Sequence, residues 1–544
     1  MTALYKISDL TIDLPSWGDR RHAVQDIQLE IFPNEILCIV GESGSGKSVL
    51  ARSLMGLFSS RHVKASKGEI LLDGEDVLRM SPDRLRQIRG EKVAMIFQEP
   101  MTALNPLLTI GQQIAEVIEV HHPEARARAQ ERVLEVLAAV NLPNPSEIIH
   151  AYPHQLSGGQ RQRAMIAMAL VLEPKVLIAD EPTTALDVTT QAQILKLIKE
   201  LQAKHQTAVV FITHDFGVVA EIADRIAVME SGHMVELNTA ERVLTTPQHA
   251  YTKTLLQAVP SIRPAQTRNS AADSSIALEV SGLTKSYSTK RGFFKSSTRT
   301  VNALAGVSVK LKEGETLGIV GESGSGKSTL AKCVARLVDA DQGEIIIEGQ
   351  DFLKMRGASL RAFRRNVQLV FQDPYSSLDP RQKVGSIITE GPILHGESKE
   401  SAIAKMVELL DTVGLDRKAA DRFPHEFSGG QRQRIGIARA LALNPKLLIA
   451  DEAVSALDVS VQAQVLNLLK EIREKFKLTI LFITHDLRVA AQICDSIMVM
   501  NKGQVVEYGA TTKIFESPEH PYTKELFAAV PGREFWSSHR AANS

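Results

Sequence analysis

The chain has 544 residues, which is too long for a single hydrophobic core, so this length predicts two or more domains. Its 63 Lys and Arg residues balance 63 Asp and Glu residues, so no excess of positive charge favours a nucleic-acid partner. No run of about 18 apolar residues occurs, and the start, MTALYKISDL, leads into no long apolar stretch, so we expect neither a membrane span nor a secretion signal.

Short apolar runs alternate with longer amphipathic ones in each half of the chain, a pattern that predicts an α/β fold. In the first half, buried strands are predicted at Ile36–Val40, Val176–Asp180 and residues 209–213, with a helix from about Ser48. The second half repeats these strands as LGIVG, LLIAD and ILFIT. Residues 99–155 and 373–426 have a helical period instead, which predicts a helical subdomain set into each α/β core.

An internal repeat covers most of the chain. GESGSGKS at residues 41–48 returns at 321–328, LSGGQRQR at 156–163 returns as FSGGQRQR at 427–434, and FITHD at 211–215 returns at 482–486. Lys47 and Lys327 are 280 residues apart, but from Ser157 and Ser428 onward the separation stays at 271. Length therefore varies only before the SGGQ motif, which indicates a rigid core with variable insertions.

A polar segment separates the two copies. Residues 261–275, SIRPAQTRNSAADSS, have no apolar period and are rich in Ser, Ala and Pro. We predict one domain at residues 1–262, a linker at 263–275 and a second domain at 276–544. A flexible linker of this length spans about 20 Å and keeps the two domains near each other.

The glycine-rich motifs have the GxxxxGK[ST] pattern that holds phosphate on backbone N–H groups at a helix N-terminus. The lysine reaches the outer phosphates and the following serine binds Mg²⁺. A single match also fits a plain turn before a helix, but two identical copies after apolar runs favour nucleotide binding. The predicted nucleotide ligands in these loops are Gly41, Ser43, Gly44, Ser45, Gly46, Lys47 and Ser48, and Gly321, Ser323, Gly324, Ser325, Gly326, Lys327 and Ser328.

Two carboxylates end a predicted strand in each copy, at Asp180–Glu181 and Asp451–Glu452. Ligands of open parallel sheets bind at this edge. The aspartate is suited to hold Mg²⁺, and the glutamate to orient and deprotonate a water that attacks the γ-phosphate. Such a pair could also merely cap the next helix, but the neighbouring phosphate loop favours catalysis.

Further polar residues complete the predicted catalytic set. His214 and His485 each follow the glutamate by 33 residues and can sense the γ-phosphate as neutral donors or acceptors, although a lone histidine there is more often a core residue. Gln98 and Gln372, in FQEP and FQDP, can reach Mg²⁺ or the attacking water. The predicted metal ligands are Ser48, Gln98 and Asp180 in one copy, and Ser328, Gln372 and Asp451 in the other.

With the SGGQ motifs added, each copy resembles an ATP-binding cassette of the ABC family, so the chain resembles two tandem P-loop NTPase cassettes, each a RecA-like α/β core with an inserted helical subdomain. The resemblance implies ATP and Mg²⁺ as cofactors and ATP hydrolysis as the activity. It also implies that the two cassettes pair within the chain, each SGGQ motif covering the ATP of the other. One site then includes Ser428, Gly430 and Gln431, and the other includes Ser157, Gly159 and Gln160.

Smaller features of the family recur as well. Asp187 and Asp458 match its interface loop, and Tyr287 matches the aromatic residue that stacks on adenine. In the first copy Leu14 fills that place, and Trp17, three residues on, is either the stacking residue or a surface aromatic. No reacting group is missing from either copy, so we expect two hydrolytically competent sites.

The loops QEPMTALNP and QDPYSSLDP and the tails PQHAYTKTLLQAVP and PEHPYTKELFAAVP resemble the bacterial oligopeptide, dipeptide and nickel importers, in the fused form of peptide or microcin importer ATPases. The implied function is to energise import of peptides or peptide-like solutes, with nickel, opines or glutathione as alternatives. The implied partners are two transmembrane permease subunits and, indirectly, an extracytoplasmic solute-binding protein. The chain would lie at the cytoplasmic face of the bacterial inner membrane as a peripheral subunit.

Several other sites and functions are disfavoured because the sequence lacks the features they need. Some relatives carry a cysteine cluster in the tail for an iron–sulfur centre, but Cys38, Cys333 and Cys494 lie elsewhere, so we expect buried, reduced thiols and no cluster. A ribosomal twin-cassette factor would have a longer basic linker, and DNA-repair relatives would have a coiled coil or zinc modules. The insertion KRGFFKSSTR at residues 290–299 is read as a solvated loop in preference to a membrane or partner contact.

Overall fold

The computed structural model describes residues 2–15, 20–60, 62–183, 186–264, 275–291, 297–455, 457–533 and 535–536. The chain forms two compact units, one of Met1–Ala258 with Val530–Ser544 and the other of Val259–Ala529. Most of the predicted linker lies outside the described residues, as do Trp17 and the side chains of the whole insertion at 290–299. Among the described residues, no helix is both long and apolar enough to cross a membrane.

Ten strands occur among the described residues of the first unit. They are β1 Tyr5–Asp13, β2 His22–Ile31, β3 Ile36–Val40, β4 Lys64–Leu72, β5 Glu75–Asp76, β6 Val93–Ile96, β7 Val176–Asp180, β8 Ala208–Ile212, β9 Arg225–Glu230 and β10 His233–Thr239. A four-stranded sheet has the order β2-β1-β4-β5, and a six-stranded sheet has the order β10-β9-β3-β8-β7-β6. The inner strands of the larger sheet are parallel, and only β10 pairs antiparallel to its neighbour.

Helices surround this larger sheet and form the predicted subdomain. The α-helices are α1 Lys47–Ser53, α2 Pro82–Glu91, α3 Pro100–Ala103, α4 Ile110–His121, α5 Ala129–Ala139, α6 Pro145–Ile148, α7 Gly158–Leu170, α8 Val188–His205, α9 Phe216–Ile222, α10 Ala240–Thr245 and α11 Ala250–Ala258. Short 3₁₀ helices occupy Val77–Arg79, Pro123–Arg128 and Pro153–Gln155. Four of these α-helices, α3 to α6, lie within residues 99–155, where the sequence predicts the helical subdomain, and α7 follows directly after it.

The second unit repeats the same order of strands. Its strands are β11 Ile276–Arg291, β12 Ser297–Lys312, β13 Thr316–Val320, β14 Gln342–Ile347, β15 Gln350–Asp351, β16 Val367–Val370, β17 Leu447–Asp451, β18 Thr479–Ile483, β19 Ser496–Asn501 and β20 Gln504–Ala510. Its α-helices are α12 Lys327–Val334, α13 Gly357–Phe363, α14 Val384–Leu394, α15 Lys399–Thr412, α16 Gly429–Leu441, α17 Val459–Phe476, α18 Leu487–Ile493, α19 Thr511–Glu516 and α20 Pro521–Ala528, with 3₁₀ helices at Arg364–Asn366, Arg417–Asp421 and Pro424–Glu426. The sheets have the orders β12-β11-β14-β15 and β16-β17-β18-β13-β19-β20.

The predicted core strands are confirmed. Strands β3 and β7 have the predicted bounds, and every residue of β3, β7 and β8 is buried, because parallel strands are covered on both faces. The third strand of each copy begins one residue earlier than predicted, at Ala208 and Thr479. It also ends one residue earlier, at Ile212 and Ile483, because the threonine before the histidine already belongs to the following loop. In each unit one core cluster packs the smaller sheet, the first helix and the larger sheet together.

The segment that follows the last helix of each cassette, α11 or α20, makes an equivalent hydrogen bond within the unit to which that segment belongs. In the first unit, the backbone N–H of Gly532 points to the Glu221 carboxylate on α9 across 3.4 Å. In the second unit, the Gln492 side-chain amide on α18 donates to the carbonyl of Ser261 at 3.0 Å. Glu221 and Gln492 occupy matching places in the repeat, and so do Ser261 and Gly532.

Candidate nucleotide sites

The first glycine loop connects β3 to α1 in a conformation that requires glycine. Gly46 caps α1 with φ of 103°, and a Cβ added there would lie 2.4 Å from the carbonyl oxygen of Ala23. Gly326 has φ of 104° and would meet Ala303 in the same way. A glycine loop that leads into a helix N-terminus can offer backbone N–H groups to phosphate.

The lysine and serine of each loop make equivalent contacts in the two units. Lys47 is buried, and its ammonium donates to the carbonyls of Gly41 at 2.7 Å and Glu42 at 2.8 Å. The Ser48 hydroxyl donates to the Asp180 carboxylate at 2.9 Å. In the second unit Lys327 makes the same bonds, and Ser328 donates to Asp451 at 3.2 Å. The fold thus joins the glycine loop to the end of the strand that carries the two carboxylates.

The aspartates Asp180 and Asp451 are suited to a cation. Their side chains are buried, and burial raises the pKa of both carboxyls, to which the neighbouring Glu452 adds in the second unit. The Oδ2 atom of Asp180 is buried and has no hydrogen-bond partner among the described residues. A divalent cation fits this donor set, because Mg²⁺ binds one or two carboxylates together with a hydroxyl and phosphate oxygens.

The glutamates lie between two other predicted residues. Glu181 has φ of 48° and Glu452 has φ of 47°, an uncommon conformation for a non-glycine residue at the end of a strand. The Gln98 amide donates to the Glu181 carboxylate at 3.0 Å, and His214 Nδ1 lies 3.5 Å from the other carboxylate oxygen. The fold therefore brings glutamine, glutamate and histidine together at the same sheet edge.

The second unit repeats this triad with Gln372, which donates to Glu452 at 2.7 Å, and His485, whose Nδ1 lies 3.5 Å from Glu452. Burial disfavours the charged forms of His485 and Glu452, but the contact between the two side chains favours these forms more strongly. The pKa of His485 is raised and the pKa of Glu452 is lowered, so each stabilises the ionised form of the other.

The SGGQ motifs open α7 and α16 with the same cap. Ser157 and Gln160 form a capping box, as do Ser428 and Gln431. A Cβ on Gly430 would lie 2.2 Å from Val461 Cγ1 in α17, so glycine is required by close packing of the two helices. In the first unit Gly159 approaches Thr190 similarly, and Thr190 N–H in turn donates to Asp187, the residue of the predicted interface loop.

An aromatic residue that stacks on adenine is predicted clearly only for the second copy. Tyr287 lies on β11 with 43% of its surface exposed, and the Lys285 ammonium lies 5.7 Å from its ring centre. In the first copy Leu14 packs against the core cluster as a partly buried residue, and Trp17 lies outside the described residues. The stacking role of Tyr287 therefore stays a prediction.

Two tyrosines escaped the sequence-based prediction. The backbone N–H of Glu42 in the first glycine loop donates to the hydroxyl of Tyr251 at 3.2 Å, and that of Glu322 donates to Tyr522 at 3.0 Å. Both tyrosines belong to the repeated tails. The sequence signal for them was that the two tyrosines are 271 residues apart, the same separation as the repeated motifs. The contact itself joins positions 209 and 200 residues apart, which sequence spacing does not reveal.

The cysteines are free and buried, as predicted. Burial raises the pKa of Cys333 to about 11 and raises the pKa of Cys38 and Cys494 further, so all three remain neutral thiols. Among the described residues, no group of three or more His, Cys, Asp or Glu side chains has the arrangement of a metal site.

Comparison with known families gives two matches in each half of the chain. The family described as ABC transporter matches residues 24–184 and 304–455. The family described as oligopeptide/dipeptide transporter, C-terminal region, matches residues 235–285 and 506–542. The second match includes Tyr251 and Tyr522.

Curated relatives align along nearly the whole chain. The glutathione import ATP-binding protein GsiA of Salmonella paratyphi A is 48% identical over 554 residues, covering 96% of this chain and 89% of that protein. The protein of the same name from Escherichia coli O157:H7 is 48% identical over 542 residues, covering 94% and 87%. That of Pectobacterium atrosepticum is 46% identical, covering 97% and 89%.

Solved structures match at the level of one cassette. The dimeric post-hydrolysis state of the ATP-binding cassette MJ0796, bound to ADP and Pi, is 31% identical and covers 43% of this chain and 98% of its own, with a TM-score of 0.39. The structure of cbiO1 from Clostridium perfringens is 26% identical and covers 49% and 99%, also with a TM-score of 0.39.

Proposed function

This chain belongs to the ABC transporter family and is the ATPase of an importer, and we propose that its two cassettes both hydrolyse ATP to energise uptake of peptides or peptide-like solutes. The observation that carries the proposal is the duplication of the full reacting set. Each cassette combines a lysine-bearing glycine loop, a serine–aspartate contact and a glutamate flanked by glutamine and histidine. Neither copy has lost a group that the chemistry needs.

The proposed reaction is in-line attack of water on the γ-phosphate, which breaks the bond to the β–γ bridging oxygen and releases ADP and phosphate. Glu181 and Glu452 orient and deprotonate the water, while Lys47 and Lys327 stabilise the charge on the outer phosphates. Mg²⁺, held by Ser48, Asp180 and Gln98 and by their counterparts Ser328, Asp451 and Gln372, would neutralise phosphate charge. The buried, unpartnered Oδ2 of Asp180 supports this assignment.

We further propose that each SGGQ motif completes the nucleotide site of the other cassette. Ser428, Gly430 and Gln431 would then cover the ATP held at Lys47, and Ser157, Gly159 and Gln160 the ATP held at Lys327. The support is chemical, because the capped N-terminus of α7 or α16 presents N–H groups that suit a phosphate. Closure on ATP and release after hydrolysis would move the helical subdomains.

An importer ATPase of this family works with membrane permeases. We propose two permease subunits on separate chains, and an extracytoplasmic binding protein that delivers the solute to them. The chain would act as a peripheral subunit on the cytoplasmic face of a bacterial inner membrane. The absence of a membrane-crossing helix among the described residues is compatible with this arrangement.

For the solute, we propose small peptides including glutathione. The support is the match of both tails to the oligopeptide/dipeptide transporter region and the high identity to proteins named for glutathione import. Nickel and opines, which other importers of this type carry, are less favoured.

Reconstitution in proteoliposomes tests the function. The chain is combined with its two permeases and binding protein, and ATP turnover is measured with glutathione, dipeptides, longer peptides or nickel presented by the binding protein. We expect turnover and solute uptake to rise together with glutathione or peptides. A response to nickel alone, or to none of these solutes, would overturn the proposal.

The two-site assignment is tested by Glu181→Gln and Glu452→Gln, alone and together. We expect each single change to lower turnover at least by about half, and the double change to lower it about 100-fold or more, the usual contribution of a general base. Glu131→Gln, an exposed change on α5, is the control and should leave turnover unaltered. One single variant with wild-type turnover would contradict two competent sites.

A further inference from the structure

The tail of each cassette touches its phosphate loop through one hydroxyl group. Tyr251, near the start of α11, accepts a hydrogen bond from the backbone N–H of Glu42 at 3.2 Å. Tyr522, near the start of α20, accepts one from Glu322 at 3.0 Å. The same contact therefore occurs twice, in two units whose glycine loops are identical in sequence and whose tails differ at several positions.

The Glu42 peptide is a point where the glycine loop needs support. Gly41 before it and Gly44 shortly after it both have positive φ, at 151° and 79°, and glycine loses more backbone freedom on ordering than any other residue. The Glu42 carbonyl is held from inside the loop, by the Lys47 ammonium at 2.8 Å and by Ser45 N–H at 3.1 Å. Its N–H is held from outside the loop, by the tyrosine.

The tyrosine is itself fixed by a short chain of hydrogen bonds. The carboxylate of Glu236, on β10, accepts from the N–H groups of Gln248 at 2.9 Å and His249 at 3.1 Å, and His249 Nδ1 accepts from the N–H of Tyr251 at 3.3 Å. Thr252, the next residue, is fully buried. This chain of hydrogen bonds to β10 of the larger sheet thus fixes Tyr251 in its position beside the glycine loop.

The second cassette repeats this chain bond for bond. Glu507, on β20, accepts from the N–H groups of Glu519 at 2.8 Å and His520 at 3.1 Å, and His520 Nδ1 accepts from the N–H of Tyr522 at 3.1 Å. Burial opposes ionisation of Glu236 and Glu507, but the donated N–H groups outweigh it and lower the pKa of both carboxyls. Each carboxylate therefore stays charged and anchors the tail at neutral pH.

We propose that Tyr251 and Tyr522 are positioning residues of the ATP sites. By holding the Glu42 and Glu322 peptides, each tyrosine keeps its glycine loop in the conformation whose remaining N–H groups face the phosphates. The loop then loses less conformational freedom when ATP binds. The tail region of each cassette is in this way a structural part of the nucleotide site. The inference rests on the proposed binding of ATP at these loops.

Removal of the hydroxyl groups alone tests the proposal. Tyr251→Phe and Tyr522→Phe are made singly and together in the full chain that also carries Glu181→Gln and Glu452→Gln, and MgATP is titrated to give Kd. We expect the double tyrosine variant to bind MgATP about fivefold more weakly, the effect of losing one ordinary hydrogen bond per site. In the chain with intact glutamates, KM for ATP should rise by a similar factor while kcat stays within about twofold.

Tyr508→Phe is the matched control. It deletes the same atom from a tyrosine whose hydroxyl donates to the carbonyl of Lys310 at 3.1 Å, on strands outside the glycine loop. Its Kd and KM should equal those of the parent chain. An unchanged Kd in the Tyr251 and Tyr522 variants would overturn the positioning role. So would a lower kcat together with a lower unfolding midpoint and an unchanged KM. Failure of the parent chain to bind MgATP would instead overturn the proposed function.

Discussion

Gln372 donates from its side-chain amide to the carboxylate of Glu452 across 2.7 Å. The glutamine lies just beyond β16, at the entry to the helical subdomain. The glutamate directly follows β17 of the larger sheet. The bond therefore links the candidate general base to the part of the cassette that is proposed to move. Gln98 and Glu181 make the equivalent bond at 3.0 Å in the first unit.

This link predicts a selective effect of losing the glutamine. Gln98→Ala and Gln372→Ala should each lower the turnover of their own site about tenfold, a cost of ~1.4 kcal/mol in the barrier, because the carboxylate loses its orientation. MgATP binding should weaken less than turnover falls, because the proposed Mg²⁺ ligands serine and aspartate remain at each site. The measurement is steady-state turnover beside equilibrium binding. Gln368→Ala, whose amide donates to the carbonyl of Arg364, is the control, and faster turnover in either site variant would contradict the orienting role.

The contact between His485 and Glu452 predicts a pH-dependent stability of the second unit. The lowered pKa of Glu452 contributes stability that is present above its ordinary value of 4.5 and lost as the pH falls through the lowered pKa. The raised pKa of His485 contributes stability that is present below its ordinary value of 6.5 and lost as the pH rises through the raised pKa. The full contribution therefore lies between pH 4.5 and pH 6.5.

His485→Gln tests this window in the nucleotide-free chain. The variant should lower the unfolding midpoint of the second unit by about 2–4 °C more at about pH 5.5 than at about pH 8.5, equivalent to ~1 kcal/mol. Calorimetry at several pH values gives the comparison. His425→Gln, at an exposed position, should show no such dependence, and a larger effect at the higher pH would refute the assignment.

A buried ion pair in the second unit predicts a large loss of stability. Arg473 lies 2.7 Å from the Asp495 carboxylate and donates to the hydroxyl of Thr316 at 2.9 Å, with 9% of its side chain exposed. Arg473→Gln should destabilise this unit by about 3 kcal/mol, because the mostly buried Asp495 would lose its ion-pair partner and keep only the N–H of Thr316. Lys67→Gln removes an exposed pair with Asp26 in the first unit and should cost less than about 1 kcal/mol. Thermal unfolding distinguishes the two, and equal small shifts would be inconsistent with the prediction.

Two glycines of α16 predict opposite effects of the same substitution. Gly430→Ala places a Cβ 2.2 Å from Val461 Cγ1, and a valine cannot turn aside easily, so about 1–3 kcal/mol of stability should be lost along with ATP turnover. Gly436→Ala meets nothing within 4 Å and should be neutral or stabilise the helix by about 0.5–1 kcal/mol. Unfolding midpoints of the two variants provide the check. Equal effects would mean that α16 and α17 do not pack as closely as described.

The sequence alone predicted the fold class and most of the candidate site. The strands Ile36–Val40 and Val176–Asp180 could be read directly, because strands buried on both faces are continuous apolar runs between polar segments. The grouping of Lys47, Ser48 and Asp180 followed from motifs at the carboxyl ends of such strands, which a parallel sheet brings to one edge. Duplication reinforced each assignment.

Tertiary structure alone decided which groups touch across long sequence separations. The N–H of Glu42 meets the hydroxyl of Tyr251, and Glu181 takes a left-handed conformation between Gln98 and His214. Neither relationship has a sequence signal, because a hydrogen bond between distant segments depends on how strands and loops pack, not on local period or composition. Motif spacing thus determines which residues can react, and packing determines how each one is held.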